Sequence, residues 1–399
     1  MTSKTLGIAT DIGTTTIALH LIDLETGKRL TTRSGMNAQA PYGSDVTGRI
    51  KYCADNGHEK LTEAIRNQIS EMITEACAET DTQTHDIEYI VIAANTIMQH
   101  LAAGLSPVDM GVAPFTPVSL FGDEHLAWDA MPVNKNAKIY YTPAISAYVG
   151  GDITAGLMAA GFEDLDVPAI FLDIGTNGEI VLKHKNTYYC CATAAGPAFE
   201  GAEITMGMPA LKGAIDHVKL GSNDNIEFTT IENGEPKGLC GSGLLDTLAV
   251  LLKTGAVDET GRLLNTDKYY ITEQNDGVFV TPGDIRKIQL AKAAIAAGIQ
   301  VLLHFAGIQE SDVKLLALAG GFGSYMDLES AAKIGLFPKN LLYAAKSFGN
   351  TSGEGAAMVF EAKDAKSKLE KIRNRCEYIE LSTMTFFNDK FIDEMSFEE

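Results

Sequence analysis

Phe171-Leu172-Asp173-Ile174-Gly175-Thr176-Asn177-Gly178-Glu179-Ile180-Val181-Leu182 is the stretch from which the fold can be read. Two apolar runs flank Gly175-Thr176-Asn177-Gly178, the pattern of two strands joined by a tight turn. Asp173 falls at the end of the first run, facing the turn. A carboxylate beside exposed backbone N–H groups suits a magnesium-bound phosphate, because the amides hold oxygens and the carboxylate holds the metal's waters. Taken alone, the same residues also describe an ordinary Asn-Gly hairpin with a solvated aspartate.

A second copy lies near the start of the chain. Ile8-Ala9-Thr10-Asp11-Ile12-Gly13-Thr14-Thr15-Thr16-Ile17-Ala18-Leu19 repeats the scheme of strand, Asp-Ile-Gly-Thr, polar turn and strand. Asp11 and Asp173 are about one domain length apart. Two phosphate-gripping hairpins at that spacing imply two similar domains facing each other across one nucleotide. The pattern resembles the superfamily of acetate and sugar kinases, Hsp70 and actin (ASKHA). That resemblance implies an α/β protein of two RNase H-like domains, at about residues 1–160 and 161–399. The first carries an insertion at about 104–138; the second ends in a helix and tail, about 349–399, part of which can return to the first domain. It also implies that Asp11 and Asp173 are catalytic and hold Mg²⁺ through water. Gly13, Thr14, Thr15, Thr16, Gly175, Thr176 and Asn177 are then nucleotide-binding.

Composition narrows the function. The 45% hydrophobic and 21% charged fractions are those of a soluble globular protein, and 399 residues suffice for two or three full cores. A formal charge of −20 argues against a nucleic-acid groove or an anionic membrane surface. A nucleotide must then be held by amides, metal and helix dipoles more than by a basic patch. The N-terminal residues run straight into the first strand with no signal peptide, so a cytoplasmic protein is expected. Ile288–Ala306 is weakly polar but broken by Lys292, Gln300 and His304, which reads as a core or dimer helix rather than a membrane span. A homodimer is expected. The six cysteines, Cys53, Cys77, Cys190, Cys191, Cys240 and Cys376, show no zinc or iron–sulfur spacing, and buried thiols are the default reading.

Further motifs follow in order. Helical spacing is predicted over about 59–79 and a buried strand over Ile87–Ala94, followed by Asn95-Thr96 at a helix cap. Asn95, Thr96 and His100 fit either a cleft wall or a cap with a satisfied histidine. Gly150-Gly151-Asp152 opens a small-residue helix, the first connecting helix of the superfamily; Asp152 is a candidate water-orienting base or simply a helix cap. Gly196 and Gly201 bracket a loop expected to open a helix, where bare backbone admits a phosphate and Glu200 is a candidate second-sphere metal ligand. Gly241 and Ser242 start an apolar helix that suits the ribose or adenine side, with Asp246 a candidate acceptor for a ribose hydroxyl. The strand Leu315–Ala319 ends in Gly320-Gly321-Phe322, the place where this superfamily clamps adenosine. A second small-residue helix, near Gly353, is the expected second connecting helix, and two helices so poor in bulk suit a hinge. Beyond it a charged helix, a final strand at Tyr378–Leu381 and an acidic tail are predicted.

The wording of four motifs goes further than the fold. Asn95-Thr96-Ile97-Met98-Gln99-His100, Thr193-Ala194-Ala195-Gly196-Pro197-Ala198-Phe199-Glu200-Gly201-Ala202, Cys240-Gly241-Ser242-Gly243-Leu244 and Leu318-Ala319-Gly320-Gly321-Phe322-Gly323 resemble the reductive activators of corrinoid proteins. The resemblance runs from Ile8 to about Phe391. It implies a Mg-dependent ATPase that supports reduction of cob(II)alamin to cob(I)alamin on a corrinoid protein of a methyltransferase system. Such activators usually carry an iron–sulfur domain, and no cluster motif is present here, so no iron–sulfur cluster is expected and a separate ferredoxin-like donor is. In the related activators of 2-hydroxyacyl-CoA dehydratases a cysteine stands where Cys240 does, but no second ligand follows within some tens of residues. Two other readings compete. One is a kinase acting on a small alcohol or carboxylate, with Asp152 as base; the other is a chaperone-like or actin-like interaction ATPase.

Overall fold

The computed structural model describes residues 5–222, 225–272, 277–323 and 325–397. They divide into two compact units: unit 1 is Met1–Leu165 with Asn350–Tyr378, and unit 2 is Asp166–Gly349 with Ile379–Glu399.

In unit 1, β1 (Leu6–Ile12), β2 (Thr16–Asp23) and β3 (Arg29–Met36) form an antiparallel meander. Helices α1 (Val46–Asn56) and α2 (Glu59–Glu79) follow. β4 (Ile87–Ala94) then pairs parallel to β1 and leads into α3 (Thr96–Ala103). The edge strand β5 (Glu124–Leu126) and β6 (Lys138–Tyr141), parallel to β4, complete a sheet of order β3-β2-β1-β4-β6-β5. α4 (Gly151–Ala159) closes this part of the chain. β1 and β4 are apolar almost throughout and buried on both faces, the mark of central strands covered by helices. α2 buries Leu61, Ile65, Ile69, Met72, Ile73 and Ala76, the stripe predicted by its 3.6-residue period.

Unit 2 repeats the plan. β7 (Ala169–Ile174), β8 (Gly178–His184) and β9 (Thr187–Thr193) form the meander. β10 (Ala214–Leu220), β11 (Ile226–Thr230) and β12 (Gly238–Leu239) make a small sheet against which α5 (Gly241–Lys253) packs. The two-residue pair β13 (Tyr269–Tyr270) and β14 (Phe279–Val280) precedes α6 (Pro282–Ala306). β15 (Leu315–Ala319) pairs parallel to β7, and after the short helices α7 (Gly320–Gly323) and α8 (Leu328–Lys333), β16 (Ala345–Gly349) pairs parallel to β15. The order β9-β8-β7-β15-β16 matches β3-β2-β1-β4-β6 strand for strand and in every direction. The expected α/β duplication is present, and the two Asp-Ile-Gly-Thr turns occupy the same place in each copy.

The chain then returns to unit 1 with α9 (Thr351–Glu361), α10 (Ala365–Arg375) and β17 (Cys376–Tyr378), and ends in unit 2 with α11 (Thr385–Asp393). Each unit has its own apolar core. α6 is long and apolar enough to cross a membrane, but its most apolar window is 78% buried, against β8 and β9. It is a core helix of unit 2.

Three local expectations are corrected, the first being that the final strand is Cys376–Tyr378 rather than Tyr378–Leu381. The loop after β9 does not open a helix: Gly196 (φ 79°) and Gly201 (φ 77°) confine it to one 3₁₀ turn, Pro197–Glu200. The acidic tail is helical, because Phe386 and Phe387 pack on the core of unit 2 and Phe386 lies 4.5 Å from the His304 ring.

Candidate functional site

The β1–β2 turn is held from the protein side by its carbonyls. The Asn37 amide donates to the Gly13 carbonyl at 2.8 Å, the Asn37 backbone N–H to the Thr15 carbonyl at 2.8 Å, and Arg49 Nη2 to the Thr14 carbonyl at 2.6 Å. In a trans peptide the C=O and N–H point in opposite directions, so three tethered carbonyls turn the following amides away from Asn37 and Arg49. Asn95 fixes the Thr14 hydroxyl at 3.2 Å while its Oδ1 caps α3 through Met98 N–H. A β-carbon at Gly13 would stand 2.7 Å from the Thr16 carbonyl oxygen, so the turn closes only with glycine there.

Asp11, at the end of β1, faces two neutral donors from the start of α9. The Ser352 hydroxyl donates to Oδ1 at 2.8 Å and the Asn350 amide to Oδ2 at 2.9 Å. Burial raises the Asp11 pKa, and these two hydrogen bonds oppose it. Among the described residues Asp11 makes no ion pair; its charge is solvated by amide and hydroxyl dipoles, which leaves it suited to a hydrated cation.

Asp152 stands in the first turn of α4, half-buried, with Oδ1 on the Ile153 N–H. Its helix is wedged into unit 1: a β-carbon at Gly150 would meet the Asn95 backbone at 2.5 Å. His100 is a satisfied core histidine. It donates from Nδ1 to the Thr96 carbonyl and accepts from the Val118 and Ser119 N–H groups at Nε2, so it fastens the loop after α3 and is not free for chemistry.

In unit 2, Asp173 pairs in register with Ala319, and the following Gly320 (φ 83°) lies against the carboxylate; a β-carbon there would be 2.4 Å from Asp173 Oδ1. Gly321 is exposed and faces open space, so nothing within the chain requires glycine at that position. The Gly175-Thr176-Asn177 turn is closed by the Gly175 N–H donating to the Asn177 carbonyl at 2.9 Å. The Thr176 hydroxyl reaches Glu200 at 3.2 Å, which ties the 3₁₀ turn to the hairpin.

Phe322 stacks on Phe199, with ring centroids 5.1 Å apart and planes at 17°. Gly241 lies beneath that pair, where a β-carbon would be 2.9 Å from Phe322 and in hard collision with the Phe199 carbonyl. Ser242 is buried at the start of α5, beside the Cys240 thiol. Asp246 is also buried, with Oδ2 accepting from His217 Nδ1 at 3.0 Å and the Val218 N–H at 3.3 Å. Burial raises its pKa against those contacts.

Unit 1 therefore brings Asp11, Gly13, Thr14 and Thr15 together, and unit 2 brings Asp173, Gly175, Thr176, Glu200 and Gly320 together. Sequence reasoning missed four residues that shape the first group: Asn37, Arg49, Asn350 and Ser352. Asn350 and Ser352 carried a legible signal, a capping pair opening a small-residue helix. Asn37 and Arg49 carried none, because an asparagine in a loop and an arginine in an amphipathic helix read as surface residues.

Comparison with known proteins follows the same division. Residues 168–399 match the model described as the C-terminal domain of RACo, the ASKHA domain, and residues 6–165 match the RACo middle region. The chain is 34% identical to the corrinoid activation enzyme RamQ of Eubacterium limosum over 97% of its length and 69% of that protein's. It is 27% identical to the [Co(II) methylated amine-specific corrinoid protein] reductase of Methanosarcina barkeri, over 98% of this chain and 77% of that one. A solved structure of a reductive activator for a corrinoid, iron–sulfur protein superposes with a TM-score of 0.89 at 35% identity, covering all of this chain and 67% of that one.

Proposed function

The chain belongs to the RACo family, and on that premise we propose that it is a Mg-dependent ATPase that reductively activates a corrinoid protein. The electron comes from a separate low-potential donor and converts cob(II)alamin to cob(I)alamin, while ATP and water become ADP and phosphate. The observation that carries the ATP reading is the repeated pairing of a strand-end carboxylate with a glycine–threonine turn, Asp11 with Gly13–Thr15 and Asp173 with Gly175–Asn177. The tethered carbonyls of the first turn favour phosphate oxygens at its amides. The open backbone at Gly321 favours close approach of a flat ligand beside Phe322.

Asp11 in unit 1 and Asp173 in unit 2 are each suited to hold a hydrated magnesium ion, which would neutralise charge on the phosphates during hydrolysis. Asn350 and Ser352 orient Asp11, Glu200 holds the Thr176 turn, and Asp152 is the candidate for orienting the attacking water. By linkage, a corrinoid protein that prefers one nucleotide state must change ATP affinity by the same factor.

Reconstitution tests the reading. The chain, MgATP, a low-potential reductant and candidate corrinoid proteins are mixed anaerobically and the cob(I)alamin absorbance is followed. ATP-dependent cob(I)alamin formation is expected. Stoichiometric phosphorylation of a small alcohol or carboxylate, with no effect on any corrinoid protein, would favour a kinase.

A further inference from the structure

Resting on the nucleotide reading above, we propose that Arg49 is a positioning residue that sets the Gly13–Thr15 turn for polyphosphate and carries a buried positive charge which the phosphates of a bound nucleotide neutralise.

Arg49 is fully buried on α1 and has no ion pair among the described residues. Its donors go to neutral acceptors: Nε to the Gly43 carbonyl at 3.1 Å, Nη1 to Gln39 Oε1 at 3.1 Å and to the Met98 sulfur, and Nη2 to the Thr14 carbonyl. The acidic residue closest in sequence, Asp45, caps α1 through the Gly48 N–H; its charge partly offsets the burial of Arg49 but forms no ion pair with it among the described residues. Burial lowers the Arg49 pKa to about 10, which still leaves it charged at neutral pH. A charge taken out of water without an ion-pair partner is costly, and a ligand that supplies the opposite charge would offset that cost.

The position fits that ligand. Arg49 is one hydrogen bond behind the turn, so it acts through Thr14 and by its field rather than by touching phosphate. A chain with a formal charge of −20 repels a polyanion at long range, and a fixed cation screened from water at the turn offsets this locally. The fork also explains the geometry: a single guanidinium ties the Gly43 loop, the Gln39 side chain and the turn into one rigid unit.

The test separates charge from fold. Wild type, Arg49→Lys and Arg49→Met are titrated calorimetrically with adenosine, ADP and a non-hydrolysable triphosphate analogue of ATP. Folding is checked by circular dichroism. Arg49→Met should weaken the triphosphate on the order of tenfold more than adenosine. Arg49→Lys should restore part of that difference, because the charge stays while the fork is lost. If Arg49→Met does not fold, Arg49→Lys alone still decides: a severalfold loss confined to the phosphorylated ligands supports the role. Equal losses for all three ligands, or none in a folded variant, would overturn it. A wild-type chain that binds none of them would instead remove the nucleotide reading itself.

Discussion

Gly355 of α9 and Ala155 of α4 meet backbone to backbone: a β-carbon at position 355 would lie 2.1 Å from the Ala155 carbonyl oxygen. The two small-residue helices are thus a tightly packed pair inside unit 1. Their closeness fixes where α9 begins, and so where Asn350 and Ser352 deliver their hydrogen bonds to Asp11.

Gly355→Ala should therefore destabilise unit 1 by about 1–3 kcal/mol, the usual range for forcing a methyl into a filled contact. Urea unfolding measures it. Hydrolysis should fall further than stability predicts, since α9 and its two donors must shift. A variant as stable and active as wild type would mean that the helices separate at little cost.

Asp11→Asn and Asp173→Asn should keep the fold and lose about 10²–10³ of magnesium-dependent ATP hydrolysis, the typical loss when one well-placed electrostatic group is removed. Ser352→Ala should lose less, because Asn350 still orients Asp11. Steady-state phosphate release is the measurement, and unchanged turnover in both aspartate variants would remove them from the mechanism.

Phe322→Ala should weaken adenosine and ATP by a similar factor. Phe322 is partly exposed beside the open backbone of Gly321 and stacked on Phe199, an arrangement worth about 0.5–1.5 kcal/mol per aromatic pair. A loss seen for ATP but not for adenosine would place Phe322 near phosphate rather than base.

Acid stability should depend on His20. Burial first, and the charge of Arg29 second, push its pKa from 6.5 down to about 4. In that interval the unfolded chain binds a proton that the folded chain refuses. The stabilisation is complete above about pH 6.5 and is lost as pH falls toward 4. His20→Gln should flatten the decline in urea midpoint between about pH 6.5 and 4. An unaltered slope would assign the decline to other groups.

The sequence by itself determined the duplicated α/β plan, the two carboxylate turns and the glycine-rich strand ends. These are local patterns: alternation of burial, turn chemistry and the period of α2 are written in neighbouring residues. It also contained the family resemblance, because the motif wording is contiguous. The sequence allowed part of 349–399 to return to the first domain; only the tertiary structure decided that the returning part is Asn350–Tyr378. It alone decided that Asp11 meets Asn350 and Ser352 some 340 positions away, and that Arg49 is buried behind Thr14. Those pairings depend on how helices pack on a sheet, which brings distant residues together with no trace in the local pattern. Helical spacing can show that a helix has a buried face, but not that a cation on it, as Arg49 is on α1, will be sealed in without an ion pair.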